Sequence, residues 1–327
     1  MKSFFICMSV ALLATVTVKA QQIAVVTDNT TKMCQTLKDA IEASSDGSVI
    51  YLPGGGFQIS DEVKITKRLT IIGIGHNSNG ENADGNTTIA GNLWFAKGSD
   101  NSAVIGCNIS GNISIGDEGE VVKNLLIRFC NINSVQVKNS ECTGTIVNQS
   151  YVRGDSDFGN SEVKLLNNVI GRILNIATGE ITNNVCCFGS WGAARYGQYN
   201  PSLVNVNNST IKGNVFRGES LYFSVGSFCT VRENYFVGSS VGDAPVVIDG
   251  GEGDVFVNYN GWSVSPVSNF HFKNDYKQYE SQVGIYAGTG FDDNAQPPVP
   301  YIIEKKVDTQ TDASGILNIK IRVKAGL

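Results

Sequence analysis

The chain reads LLNNV at residues 165–169, ITNNV at residues 181–185 and IKGNV at residues 211–215. Each stretch places an apolar residue before two variable positions, a small polar residue and a second apolar residue. The same template fits residues 105–109, 127–132 with one extra residue, 147–151, 165–169, 181–185, 211–215 and 231–235. A period of roughly twenty residues that tolerates insertions predicts a β-solenoid, because each repeat stacks only on its neighbours.

The small polar position of the template predicts a sharp corner between two strands. Asparagine tolerates the left-handed backbone conformation of such a corner better than other non-glycine residues. Its amide can also bond the next repeat and so form a ladder. We therefore predict a structural turn role, and no catalytic role, for Asn108, Asn131, Asn168, Asn184, Asn214 and Asn234, with Ser150 at the remaining corner.

The residues before the repeats carry a resemblance to a known superfamily. Residues 36–43 have apolar residues at helical spacing, and DGSVIYLPGG at 46–55 and KITKRLTIIGIG at 64–75 follow them. This order resembles the entrance of the pectate lyase-like (pectin lyase fold) superfamily, and the resemblance covers roughly residues 34–240. It implies an all-β fold, a single-stranded right-handed parallel β-helix of about ten rungs, with an N-terminal helix cap and a C-terminal β element.

Four segments are expected. Lys2, an apolar run over residues 4–18 and the small-residue pattern at 18–20 predict a signal peptide over residues 1–20, so the protein is expected to be secreted, periplasmic or on the cell surface. No later segment is apolar enough for a transmembrane span. An N-terminal cap over 21–45, a parallel β-helix over 46–258 and a C-terminal extension with a β-hairpin over 259–327 should follow.

The C-terminal hairpin is predicted from a period of two residues. Leu317, Ile319, Ile321 and Val323 alternate with polar residues, which indicates a strand with one buried face. Paired with residues 301–307, this strand is expected to lie against the β-helix or to cover its open end, since an uncapped solenoid exposes an aggregating edge.

Composition excludes some partners and leaves the cysteines open. The net charge is −5 and the basic residues are scattered, which argues against a nucleic-acid partner. No metal site and no cofactor is predicted. Cys107 and Cys130 should stack on successive rungs, either as buried thiols or as a disulfide. His76 and His271 are the only imidazoles, and their distance in sequence suggests no pair, with His76 expected on the surface of a Gly-Asn loop.

The resemblance suggests two kinds of catalytic machinery, that of a polygalacturonase and that of a polysaccharide lyase. The polygalacturonase-like order of Asn-x-Asp, an Asp pair, Gly-His-Gly and Arg-x-Lys is absent. A polysaccharide lyase needs a base and a cation that stabilises an enolate. Arg153, Arg172 and Arg217 follow the template at similar offsets and are the catalytic candidates along one edge. The alternative is a row of surface ion pairs with nearby carboxylates.

The longest insertion supplies the binding candidates. Within residues 189–202 lie Trp191, Arg195, Tyr196 and Tyr199. Aromatic rings suit the apolar face of a sugar, and Arg195 could bond its hydroxyl groups. The same aromatic residues could instead fold back and pack on the repeats.

These observations predict a secreted or cell-surface protein that interacts with a polysaccharide, with no recognised catalytic machinery. A polysaccharide lyase that acts on an anionic glycan through the Arg edge is the first alternative. A structural or adhesive surface protein is the second. The sequence leaves open whether the protein is an enzyme, which sugar and linkage it meets, and its oligomeric state.

Overall fold

The computed structural model describes residues 22–28, 30–59, 63–76, 85–186, 202–217, 223–226, 228–237, 247–248, 255–259, 268–293, 297, 299–308, 310–311 and 314–324. Two large sheets of 17 and 10 strands account for most of this structure, and their pairings are mainly parallel. The prediction of an all-β chain with parallel strands is confirmed. The predicted signal peptide lies outside the described residues.

The N-terminal part ends in a short helix that covers apolar side chains. Strands β1 (Ile23–Thr27) and β2 (Thr30–Cys34) form an antiparallel pair, and helix α1 (Leu37–Ala43) follows. The hydroxyl group of Thr36 accepts a hydrogen bond from the backbone N–H of Asp39 at 3.0 Å, which caps the first turn. Helix α1 buries Leu37, Ala40 and Ile41, and it lies where the apolar spacing of residues 36–43 predicts a helix.

Most remaining strands belong to three parallel ladders, in which each strand pairs with the strand one repeat further along the chain. The first ladder contains β3 (Ser48–Tyr51), β6 (Leu69–Ile72), β9 (Ala103–Ile105), β12 (Leu126–Arg128), β15 (Thr145–Asn148), β17 (Ser156–Leu166), β19 (Ile173–Thr182), β22 (Ser209–Lys212) and β25 (Thr230–Arg232). The second ladder contains β5 (Val63–Ile65), β8 (Leu93–Phe95), β11 (Asn112–Ile115), β14 (Ser134–Val137), the first halves of β17 and β19, β21 (Leu203–Val206) and β24 (Phe223–Val225).

The third ladder forms the ten-stranded sheet. It contains β4 (Gly55–Gln58), β7 (Thr87–Ala90), β10 (Asn108–Ile109), β13 (Asn131–Ile132), β16 (Tyr151–Val152), β18 (Val169–Ile170), β20 (Val185–Cys186), β23 (Val215–Arg217), β26 (Tyr235–Val237) and β27 (Val247–Ile248). Because β17 and β19 run through both of the other ladders, those two merge into the 17-stranded sheet.

Alternation of side chains explains why these segments are strands. Val104, Ile127 and Val147 are register partners in the first ladder and are fully buried. Their sequence neighbours point to the opposite face, as the two-residue period of a strand requires. Residues of all three ladders belong to one hydrophobic cluster, which includes Ile113 of the second ladder and Ile109 of the third. The three ladders therefore contribute to one shared hydrophobic core.

The register corrects the predicted corners at two positions. Asn108 pairs with Asn131, Asn131 with Tyr151, and Tyr151 with Val169, so Asn108 and Asn131 are one position beyond Asn168 in the repeat. The position of Asn168 forms what we call the inner column, which consists of Cys107, Cys130, Ser150, Asn168, Asn184, Asn214 and Asn234. In these two repeats a cysteine occupies the place that an asparagine occupies in later repeats, and Asn108 and Asn131 lie one position further on.

The backbone conformation corrects the predicted reason for these asparagines. The residue with positive φ is the one before the inner column, which we call the corner position; it is occupied by Gly106, Phe129, Gln149, Asn167, Asn183, Gly213 and Glu233. The inner-column asparagines instead form the ladder. The Oδ1 atom of Asn184 accepts hydrogen bonds from the backbone N–H of Asn168 at 2.9 Å, and Asn214 does the same for Asn184 at 2.8 Å.

The C-terminal region contains two small antiparallel sheets. The first consists of β28 (Phe256–Asn258) and β29 (Asn269–Phe272), and the 3₁₀ helix Asn274–Tyr279 follows it. The second is the hairpin of β30 (Tyr301–Val307) and β31 (Ile319–Lys324). No helix among the described residues is long and apolar enough to cross a membrane.

The hairpin differs from the expectation of one buried face. All six residues of β31 are exposed, and Ile319 and Val323 each keep 59% of their surface. Alternation of apolar and charged residues shows that a strand is amphipathic, but it does not show that the apolar face is covered. Pairing with β30 satisfies one edge of β31 but covers neither face, so the alternation alone did not establish a packing partner.

Candidate functional site

A C-terminal segment covers the outside of the third ladder. We call residues 255–259 and 268–293 the cover. We call the outward position of the third ladder the outer column, which consists of Thr88, Asn108, Asn131, Tyr151, Val169, Val185, Val215 and Tyr235. A second hydrophobic cluster joins the apolar members of this column to Phe270, Phe272, Val283 and Ile285 of the cover.

Hydrogen bonds fasten the cover to the corner positions. The Nδ2 atom of Asn167 donates to the carbonyl oxygens of Ile285 and Ala287, both at 2.8 Å. The backbone N–H of Asp292 donates to Oε1 of Gln149 at 2.9 Å. The backbone N–H of Gly284 donates to the carbonyl of Gly213 at 2.7 Å. Since these bonds use side chains and backbone of successive corners, the cover has a defined register on the ladder.

A polar groove lies where the cover meets the corners. It has a volume of about 390 Å³ and is lined by Thr182, Asn183, Lys212, Glu233, Ser281, Gln282, Val283 and Gly288. Gly288 has a φ of 64°, and a Cβ atom there would lie 2.4 Å from Nδ2 of Asn183. Glycine is thus required where the cover comes closest to this wall of the groove.

One ion pair lies in the groove. Lys212 is the register partner of Thr182, so both side chains project from the same face of the first ladder. The Nζ atom of Lys212 lies 3.0 Å from Oε2 of Glu233, and both side chains are substantially exposed. Glu233 occupies a corner position with a φ of 55°. The groove therefore presents a carboxylate, an ammonium group, amides and hydroxyl groups to solvent.

An imidazole next to the groove is held between two carboxylates. Nδ1 of His271 lies 3.1 Å from Oε1 of Glu280, and Nε2 lies 3.4 Å from Oδ2 of Asp293. The Tyr286 ring stacks on the imidazole at 3.8 Å, and its hydroxyl group donates to Oδ1 of Asp293 at 2.6 Å. Since both ring nitrogens face acceptors within the cover, His271 links parts of the cover to each other and is not positioned as a base for a ligand in the groove.

The pKa shifts of Glu280 and Tyr286 agree with a role of this network in holding the cover together. Burial raises the pKa of Glu280, but hydrogen bonds from Lys277, the backbone N–H of Phe272 and His271 lower it by more, so its pKa lies below the ordinary value. Burial and the neighbouring Asp293 raise the pKa of Tyr286, which keeps its hydroxyl group protonated and able to donate.

His76 is joined to the cover through the ring of Tyr151. His76 contacts Tyr151 edge to face at 5.2 Å, and Tyr151 contacts Phe291 of the cover at 5.3 Å. His76 is buried, contrary to the surface position expected for it. Its Nε2 atom has no hydrogen-bond partner among the described residues, and burial lowers its pKa to about 4. No sequence signal indicated that aromatic residues of a distant segment would cover it.

The predicted Arg edge is engaged in structural contacts. The guanidinium group of Arg153 donates to the carbonyl oxygens of Ile109 at 3.1 Å and Ile132 at 3.4 Å, and burial lowers its pKa. Arg172 binds Oδ2 of Asp155 through Nε at 3.0 Å and through Nη2. The backbone of Arg217 belongs to β23, and its side chain lies outside the described residues. Arg153 and Arg172 therefore turn to different partners.

Other predicted residues have these positions. Trp191, Arg195, Tyr196 and Tyr199 lie outside the described residues. Cys107 and Cys130 are buried free thiols, and burial raises the pKa of both, that of Cys130 to about 12. Within the described ranges, no group of three His, Cys, Asp or Glu side chains is placed to hold a metal ion.

Comparisons with known protein families, with curated proteins and with solved structures give no match for this chain. The functional argument therefore depends on the geometry of the groove and of the residues around it.

Proposed function

We propose that the chain is a right-handed parallel β-helix resembling the pectate lyase-like superfamily, and that it binds a polysaccharide in the groove beneath its cover. Three parallel ladders that share one hydrophobic core support the β-helix, since each repeat then contributes one strand to each ladder. The apolar run at residues 4–18 and the small-residue pattern after it support secretion.

The observation that carries the binding proposal is the composition of the groove. Thr182, Asn183, Ser281 and Gln282 offer donors and acceptors at one place. Sugars present adjacent hydroxyl groups that can bond to such a set. A volume of about 390 Å³ falls within the usual range of ligand sites.

The Arg edge gives less support to a lyase. A carboxylate already neutralises Arg172, and Arg153 bonds backbone carbonyl groups. An enolate needs a cation that is aimed at the developing charge. Binding without cleavage is therefore the function that the described residues favour.

Affinity electrophoresis of the mature chain through gels that contain one polysaccharide each tests this proposal. Glycans that retard the protein are then titrated by calorimetry. Thr182→Val and Gln282→Ala should each weaken binding severalfold, because each removes groups that face the groove. Thr210→Val is the matched control, since Thr210 is exposed on strand β22 but does not line the groove.

Two results would contradict the proposal. Retardation by none of a broad panel of neutral and acidic polysaccharides would favour a structural or adhesive protein. Binding that both groove variants leave unchanged would place the glycan elsewhere on the surface. In addition, unsaturated products detected by their absorbance would show cleavage and would favour the lyase alternative.

A further inference from the structure

Three corner positions hold residues other than glycine or asparagine, and positive φ is costly for each of them: Phe129, Gln149 and Glu233. Glycine and asparagine adopt positive φ readily, and they occupy this position at Gly106, Asn167, Asn183 and Gly213. Glu233 has a φ of 55° at the same position of the last corner among the described residues. A long side chain in this conformation is uncommon, and such residues concentrate at functional sites.

Structural contacts account for the other two uncommon corner residues but not for Glu233. Phe129 is buried, and the guanidinium group of Arg128 lies over its ring at 4.4 Å. Gln149 has a φ of 48°, and its Oε1 atom receives the backbone N–H of Asp292, which fastens the cover. Glu233 contacts Lys212 at 3.0 Å in a pair whose side chains keep 55% and 40% of their surface. An exposed pair of this kind contributes less than the left-handed conformation costs.

The position of this carboxylate suggests what it does. Glu233 and Lys212 both line the groove, so the ion pair holds the carboxylate at the surface that a ligand would contact. A carboxylate is an acceptor with two oxygens and can receive two adjacent hydroxyl groups of one sugar. Hydrogen bonds to an ionised acceptor are stronger than those between neutral groups.

The charges of the groove also restrict its ligand. Among the described residues, its lining contains one Lys and one Glu, and these two are paired. A carboxylated or sulfated sugar would bring an anion to Glu233 and would compete with it for Lys212. A neutral sugar keeps the pair intact and satisfies the remaining acceptor capacity of Glu233.

We propose that Glu233 is the specificity-determining residue of the groove and that the groove takes a neutral glycan through two adjacent hydroxyl groups. This inference rests on the proposed glycan-binding function. Lys212 is a positioning residue, because it orients the Glu233 carboxylate. The repeat imposes positive φ at every corner, so the chain carries a carboxylate at residue 233 in spite of its conformational cost.

Opposite effects on stability and binding test this proposal. Glu233→Asn places a residue that tolerates positive φ at the corner, so the melting temperature should rise by a few degrees. The same variant should lose roughly tenfold or more in affinity for the neutral glycans that bind the unaltered protein. Glu233→Gln retains the side-chain length and should also lose affinity, without the gain in stability.

Arg232→Gln provides the charge control. Arg232 is exposed and is the register partner of Lys212, but it does not line the groove. For a neutral ligand, this variant and a rise in salt from about 50 to 300 mM should change affinity less than twofold, because screening acts on charges. Lys212→Met should weaken binding less than Glu233→Asn does.

Each remaining outcome overturns a defined statement. If Thr182→Val weakens binding but Glu233→Asn does not, the groove binds glycans and Glu233 has no part in specificity. A melting temperature that falls in Glu233→Asn would show a structural role for the carboxylate. Tighter binding of acidic glycans, lost in Arg232→Gln, would overturn the neutral class. Binding of no glycan by the unaltered protein would overturn this inference together with the proposed function.

Discussion

The two ends of the outer column have the same place in the repeat and opposite chemistry. Thr88, Asn108 and Asn131 are polar and partly exposed. At the other end, Val215 and Tyr235 are buried beneath the cover. The strand geometry is common to both ends, since one parallel ladder runs through all of these residues. The polarity of the side chains in this column therefore follows the cover, and the repeat position alone does not determine it.

The inner column changes over the same region. Cys107 and Cys130 precede Ser150, and the asparagine ladder begins at Asn168. The asparagines satisfy buried backbone N–H groups of the neighbouring repeat, whereas the thiols act mainly as small apolar fillers. Where the cover packs, the repeats are thus fastened on the inside by amides and on the outside by apolar contacts.

The largest effect on this comparison should come from Tyr235→Ala. Tyr235 is fully buried between the ladder and the rings of Phe272 and Tyr279. Truncation of a buried aromatic residue costs about 3–5 kcal/mol. The matched variant Asn108→Ala occupies the same column outside the cover and should change stability by about 0.5 kcal/mol or less.

Chemical denaturation followed by fluorescence measures both variants. Equal shifts of the two midpoints would show that the cover adds nothing to the stability of the ladder beneath it. Hydrogen exchange should further show faster exchange in the cover of Tyr235→Ala, since its main anchor is removed.

A smaller effect should come from pH at the junction between the covered and uncovered ends, where His76 contacts Tyr151. The pKa of His76 is lowered by burial to about 4 from 6.5, so the unfolded chain binds this proton at a higher pH than the folded chain does. Stability from the neutral imidazole is full above pH 6.5 and is lost as the pH falls through about 4. The loss should reach roughly 3 kcal/mol.

The variant His76→Phe isolates this contribution. It keeps an aromatic contact with Tyr151 and removes the Nε2 atom, which has no partner in the part of the chain that the structure describes. Its unfolding midpoint should be less sensitive to acid between pH 6.5 and 4 than that of the unaltered chain. An identical pH profile for His76→Phe and the unaltered protein would contradict the burial of His76.

The sequence predicts the strands of the repeats, but it does not predict where the segments outside the repeats pack. Apolar spacing at residues 165, 181 and 211 predicts strands, and these residues are register partners in the first ladder. The cover has no repeat, so nothing in the sequence placed residues 268–293 on the outer column. The groove depends on that contact, and its lining residues come from segments far apart in the chain. The sequence does contain a signal that one end of the column is buried, although not of the segment that buries it: the outer column changes from Asn108 and Asn131 to Val169 and further apolar residues.

The smallest of these effects concerns the inner column. Asn184→Leu should destabilise the protein by about 1–3 kcal/mol, because it leaves buried groups without partners. The side chain of Asn184 accepts from the backbone N–H of Asn168 at 2.9 Å and donates to the carbonyl of Leu165 at 2.8 Å. Cys130 lies in the same column, before the asparagine ladder begins. The variant Cys130→Ala should cost only about 1 kcal/mol of stability, because it removes one small apolar group.

Denaturation midpoints of Asn184→Leu and Cys130→Ala measure this difference. Asn184→Leu should also speed hydrogen exchange of the Asn168 amide, which loses its acceptor, while the corner residue Asn183 keeps its own bond to the carbonyl of Lys212. Exchange that changes equally at both amides would mean that the whole corner has opened. A cost for Cys130→Ala as large as that for Asn184→Leu would remove the distinction between the two ends of the inner column, because thiols and amides would then contribute alike.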